Sequence, residues 1–100
     1  MSLNVNPAAV GLSSAMETGI AVELGASSAG TSEGLLVNLP MALDLDSAAF
    51  AEALSAAGAA YSGVKAEHVA ERSIYAVAQS SASLAYEASD ALRAIENTLA

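Results

Sequence analysis

The chain has 100 residues, 54% of them hydrophobic but only four aromatic, and its eleven acidic and three basic residues give a net charge of −8. That length holds one domain at most, and that charge, with Lys65, Arg72 and Arg93 spread singly, excludes a phosphate-binding patch for nucleic acid or an anionic membrane. The absence of cysteine excludes a disulfide framework and thiol chemistry.

Residues 1–6 are a short polar lead. Asn6 followed by Pro7 reads as a helix start, because Asn caps and Pro suits the first helical position. Leu12, Met16, Ile20 and Leu24 recur every four residues and draw an apolar stripe. Gly11 and Gly19 inside this helix are candidates for close approach of a second helix, or simply tolerated surface glycines. The run "GASSAGTSEG" at 25–34 reads as a helix end or loop, and Pro40 further on breaks any helix. The first helix is therefore expected over about residues 7–30, with a connection over about 31–45 whose apolar residues predict that it packs.

A second helix is expected over about 46–97, capped by Asp44 or Asp46, whose charge suits the positive end of the helix dipole. Phe50, Leu54, Ala57, Tyr61 and Val64 step by four and three, as in a heptad seam. Ile74, Val77, Ser81, Leu84, Ala88, Ala91, Ile95 and Leu99 do the same, one residue out of phase. A one-residue shift is about 100° around a helix, so either the two halves face different neighbours or the helix adjusts near 65–73. The charged stretch "KAEHVAERS" between them is expected to face water.

These elements predict an all-α, single-domain, antiparallel two-helix hairpin over residues 1–100. Much of its apolar content is alanine, which forms helix readily but buries little area. A partner or self-association is therefore expected to complete the core. The apolar stripes, rather than the charges, are expected to hold that partner: Leu12, Met16 and Ile20 on the first helix, and Phe50, Leu54, Ala57, Tyr61 and Val64 on the second.

Catalytic chemistry finds no constellation. His68 is the only histidine, and beside Glu67 and Glu71 it reads as a solvated helical residue, because no second His or Cys completes a metal set. The string Gly30-Thr31-Ser32-Glu33-Gly34 has the Gly-x-Ser-x-Gly spacing but no preceding strand to make it a nucleophile elbow, and no phosphate loop is present. Tyr75 reads as half-buried packing. No catalytic, cofactor-binding or metal-ligating residue is assigned, and no small-molecule substrate is expected. A basic, compactly apolar export signal is absent, since the first basic residue is Lys65, and no apolar run is long enough to span a bilayer. Near the end, Tyr86 and Asp90 in "LAYEASDAL" are four residues apart and share a helix face, with Leu84, Ala88 and Ala91 on another.

Taken together, Pro7, the Pro40 turn followed by Asp44 and Ser47, and Tyr86-x-x-x-Asp90 resemble the PE family of mycobacterial type VII secretion proteins. Glu67, Val69 and Glu71 fall at positions used by some members. The resemblance covers nearly the whole chain, and the short members linked to the iron-related system are nearest in length and pattern. The residue after Pro7 is Ala8, so the family's Pro-Glu is half lost. The resemblance implies a hairpin that completes a four-helix bundle with a PPE protein. It implies that the pair folds in the cytoplasm and is exported folded through the type VII machinery, to the cell surface or beyond. It assigns the export signal to Tyr86 and Asp90, a dedicated chaperone to the PPE partner rather than to this chain, and a Trp-x-Gly turn to the partner, since this chain has no Trp. Two other readings stay open: an EspC-like or other small self-associating type VII substrate, and a helical homodimer unrelated to secretion.

Overall fold

The computed structural model describes residues 3–100. Among them it holds two helices, α1 (Pro7–Leu36) and α2 (Leu45–Leu99), and no strand. Both starts follow the capping logic. Asn6 Oδ1 accepts the Ala9 N–H at 3.2 Å, and Pro7 opens α1. Asp44, rather than Asp46, caps α2: its Oδ1 accepts the Ser47 N–H at 2.9 Å, while Asp46 lies in the first turn.

The end of α1 corrects the expected boundary. "GASSAGTSEG" is helical throughout, and α1 runs to Leu36 instead of ending near residue 30. Glycine costs about 1 kcal/mol in a helix, so tertiary contact overrides local preference here. Three hydroxyls of this stretch bond back to their own helix, Ser28 to the Leu24 carbonyl at 2.8 Å, Thr31 to the Ser27 carbonyl at 3.0 Å and Ser32 to the Ala29 carbonyl at 3.1 Å. Ser28, Ser32 and Leu35 are half-buried.

The chain sorts into two compact units, one of Met1–Ile20 with Arg72–Ala100, the other of Ala21–Glu71. In the first, α1 and α2 run antiparallel. The Ser83 hydroxyl donates to the Pro7 carbonyl at 2.8 Å, the Ser14 hydroxyl to the Ala76 carbonyl at 2.6 Å, and Gln79 Nε2 to Ser13 Oγ at 2.8 Å. Arg72 pairs with Glu17 at 2.9 Å. In the second unit the helices are again antiparallel. Lys65 Nζ donates to Ser27 Oγ at 3.3 Å, and both the Asn38 N–H and Asn38 Nδ2 donate to Ser55 Oγ at 3.3 Å. A Cβ on Gly58 would run into the Leu35 carbonyl.

The contact face of α2 steps by four and three through Ala51, Ser55, Gly58, Ser62, Lys65, Val69, Arg72, Ala76, Gln79 and Ser83, all buried or half-buried. This heptad phase is unbroken, so α2 makes no adjustment at 65–73 and the charged stretch does not simply face water: Lys65, Val69 and Arg72 turn inward. The Phe50–Val64 seam flanks this face, one residue before it, whereas the Ile74–Leu99 seam runs two residues before it, on the far side of the helix. They are thus displaced by about 100° and about 200° around the helix. The phase shift belongs to the outward surface alone.

Small side chains let the helices approach but bury little. Among the described residues the buried hydrophobic ones are Ala21, Ala51 and Ala76, and no large side chain is fully buried. The accessible surface is 7539 Å², whereas a compact monomer of this mass exposes about 5,200 Å². The excess is roughly 2,300 Å² of surface that an ordinary domain of this size would bury.

Candidate functional site

The outward apolar residues of each unit are the first candidate. Leu12, Met16 and Ile20 are exposed on α1 within the first unit, and Phe50, Leu54, Ala57, Tyr61 and Val64 are exposed on α2 within the second. Phe50 keeps 63% of its surface accessible, an unusual amount for a large aromatic in a chain with so few. Leu24 departs from its stripe and is half-buried. A four-residue step overshoots a turn by about 40°, so three steps carry the stripe from the outer surface of α1 onto its contact face.

Phe50 and Leu54 gather around a groove of about 570 Å³ together with Leu39 and Met41 from the connection. The connection does not pack as its composition suggested. Val37, Leu39, Met41, Leu43 and Leu45 are all exposed, because the short connection has Asn38, not an apolar residue, turned toward Ser55. These residues were legible as apolar in "LLVNLPMALDL" but not as part of the outward surface. Tyr61 is partly covered on one ring face by Lys65, whose Nζ stands 6.0 Å from the ring centroid. Tyr75 is 55% exposed instead of half-buried packing, since it precedes the buried Ala76 by one residue.

The second candidate is the end of α2. Tyr86 and Asp90 are both exposed and line one cleft with Arg93. Among the described residues, no hydrogen bond or ion pair engages the side chains of Tyr86, Asp90 or Arg93. Three recognition groups, an aromatic ring, a carboxylate and a guanidinium, are thus presented together, uncommitted among the described residues.

His68 is exposed on α2 among Val64, Glu67 and Glu71 at a shallow surface depression. Among the described residues no group of three His, Cys, Asp or Glu is placed to hold a metal ion. No described helix is long and apolar enough to cross a membrane. Pro7 opens α1, and Ala8 beside it is exposed. The chain matches no protein-family model, no curated protein and no solved structure.

Proposed function

We propose that this chain is a PE-like type VII secretion substrate that pairs with a PPE protein as a heterodimer, completes a four-helix bundle with it and carries the pair's export signal in Tyr86 and Asp90. The observation that carries the reading is the area left open. A surplus of roughly 2,300 Å² matches what one subunit contributes to an extensive obligate interface, and it is apolar where the stripes run. The hairpin's own contact face is built largely of Ala, Ser and Gly, so exposed large side chains such as Leu12, Phe50 and Leu54 gain burial only against another chain.

On this reading the chain is not an enzyme and uses no cofactor. The chaperone engages the PPE partner, and the pair folds before it leaves the cytoplasm for the cell surface or the medium. Exposure of Tyr86 and Asp90 suits a signal that is read on the folded pair. An i, i+4 pair of this kind adds only about 0.2–0.5 kcal/mol to a helix. Held in a reader's pocket, an aromatic anchor is worth about 2 kcal/mol or more.

The test is co-expression with a PPE protein encoded beside this chain, followed by size-exclusion chromatography. A one-to-one complex, with the chain poorly soluble alone, supports the pairing. A stable homo-oligomer indifferent to the PPE protein overturns it in favour of self-association. Tyr86→Ala and Asp90→Ala then test the signal: intact complexes with lost export support it, and normal export removes it.

A further inference from the structure

We infer that the export element is a composite of two chain segments: the reader of Tyr86 and Asp90 docks in a cleft that the residues before α1 help to build, and it inserts one basic side chain between the Tyr86 ring and the Asp90 carboxylate. This rests on the export reading above and adds to it a second segment and a partner chemistry. The cleft measures about 490 Å³, and its walls include Leu3, Asn4 and Val5 from the lead and Tyr86, Asp90 and Arg93 from α2.

The fold puts the lead there for identifiable reasons. The Ser83 hydroxyl holds the Pro7 carbonyl at 2.8 Å, which pins the start of α1 to α2 one turn before Tyr86. Proline disfavours helix at the residue preceding it, so the chain before Pro7 leaves α1 in an extended form. Because the helices of this unit are antiparallel, backing out of α1 from Pro7 carries the chain along α2 from Ser83 toward Tyr86 and Asp90. Val5 is half-buried there while Leu3 and Asn4 stay accessible. The two segments are some 80 residues apart in the chain, so no local motif could have joined them.

The groups in the cleft specify the occupant. A guanidinium or ammonium over an aromatic face is attracted by the ring quadrupole, and a carboxylate one turn away completes its hydrogen bonds. A planar guanidinium can satisfy both at once. The chain's net charge of −8 draws a basic surface toward it. Arg93, on the same wall, counters part of that charge locally, so the cleft suits a single inserted cation flanked by neutral residues rather than a basic run.

The experiment follows export into the medium alongside formation of the complex with the PPE protein. The variant Leu3→Ser with Val5→Ser alters the lead and leaves the Asn6 cap and Pro7 in place. It should form the complex and lose export by about tenfold or more, as Tyr86→Ala does. Asp90→Asn, which keeps the size and one acceptor oxygen but removes the charge, should lose export to a similar degree. Wild-type export of the lead variant beside lost export of Tyr86→Ala overturns the composite element and leaves the signal on α2 alone. Loss of the complex in the lead variant assigns those residues to the partner interface and likewise overturns it. Wild-type export of Asp90→Asn overturns the basic occupant. If Tyr86→Ala and Asp90→Ala are themselves exported, the export reading fails, and this inference with it.

Discussion

Gly58 on α2 faces the backbone of Leu35 on α1 so closely that a Cβ at position 58 would stand 2.8 Å from the Leu35 carbonyl carbon. Its conformation is ordinary, with no glycine at positive φ among the described residues, so the requirement is for space and not for a special backbone angle. An alanine in an exposed helix position ordinarily gains about 1 kcal/mol over glycine. At position 58 the overlap is with backbone, which cannot rotate away. Gly58→Ala should therefore lower stability by about 1–3 kcal/mol. Gly63→Ala, with nothing within 4 Å of the new methyl, should raise it. Thermal unfolding followed by circular dichroism compares the two; a stabilised Gly58→Ala would mean that the helices do not approach as described.

Ser14 and Ser83 are buried hydroxyls that each donate across to the other helix, Ser14 to the Ala76 carbonyl and Ser83 to the Pro7 carbonyl. Ser14→Ala and Ser83→Ala should each cost about 0.5–1.5 kcal/mol in chemical denaturation, the usual net worth of such a bond. Ser14→Leu should cost more, because added volume pries the helices apart. Equal stability of Ser14→Leu and wild type would show that this face is not the one α1 presents to α2.

The cap of α2 responds to pH. Hydrogen bonds from the Ser47 hydroxyl and then the Ser47 N–H hold the Asp44 carboxyl below its ordinary 3.8. A depressed folded-state value means that the ionised form is favoured in the folded chain. The contribution is fully present above the unfolded value and fades as pH falls through the lower folded one. On acidification from neutral pH to about pH 2, wild type should lose helicity below 3.8 that Asp44→Asn, which keeps an acceptor but cannot titrate, does not lose. Parallel acid titrations of the two proteins with identical profiles would remove Asp44 from the cap.

Leu54 separates the chain's own stability from that of its complex. It is 43% exposed in the chain, so Leu54→Ala should change the unfolding of the isolated hairpin little. In the heterodimer, where it would be covered, the same change should cost about 2–5 kcal/mol. Leu54→Asp should prevent the complex from forming on size-exclusion chromatography. A complex that survives Leu54→Asp places the partner on another face, and Phe50 and Tyr61 would have to be reassigned with it.

The candidate site was legible in the sequence to different degrees. Tyr86 and Asp90 could be placed together because their relationship is local, four residues along one helix. That a hairpin of small side chains would leave large apolar residues such as Phe50 and Leu12 uncovered followed from alanine content alone. The lead was not legible as a neighbour of Tyr86. Nothing in "LNVN" carries a local signal of contact with a segment near the far end of the chain. The contact rests on the antiparallel pairing that sets Ser83 against Pro7.

By itself the sequence determined helix wherever capping and propensity act over a few residues. Asn6-Pro7 starts α1, an aspartate at 44 or 46 starts α2, and the proline-free chain from Leu45 is helical without interruption to Leu99. Only the tertiary structure decided where α1 ends and which face of α2 meets it. Hydrophobic periodicity marks the largest apolar side chains, and it therefore pointed to Phe50, Leu54 and Tyr61. The face that meets α1 is the one beside them, because closely approaching backbones select Ala, Ser and Gly for their lack of volume. Residues such as Gly58, Ser55 and Ser28 read locally as helix-weakening or surface-preferring, and the nearness of a second helix turns that same smallness into the condition for contact.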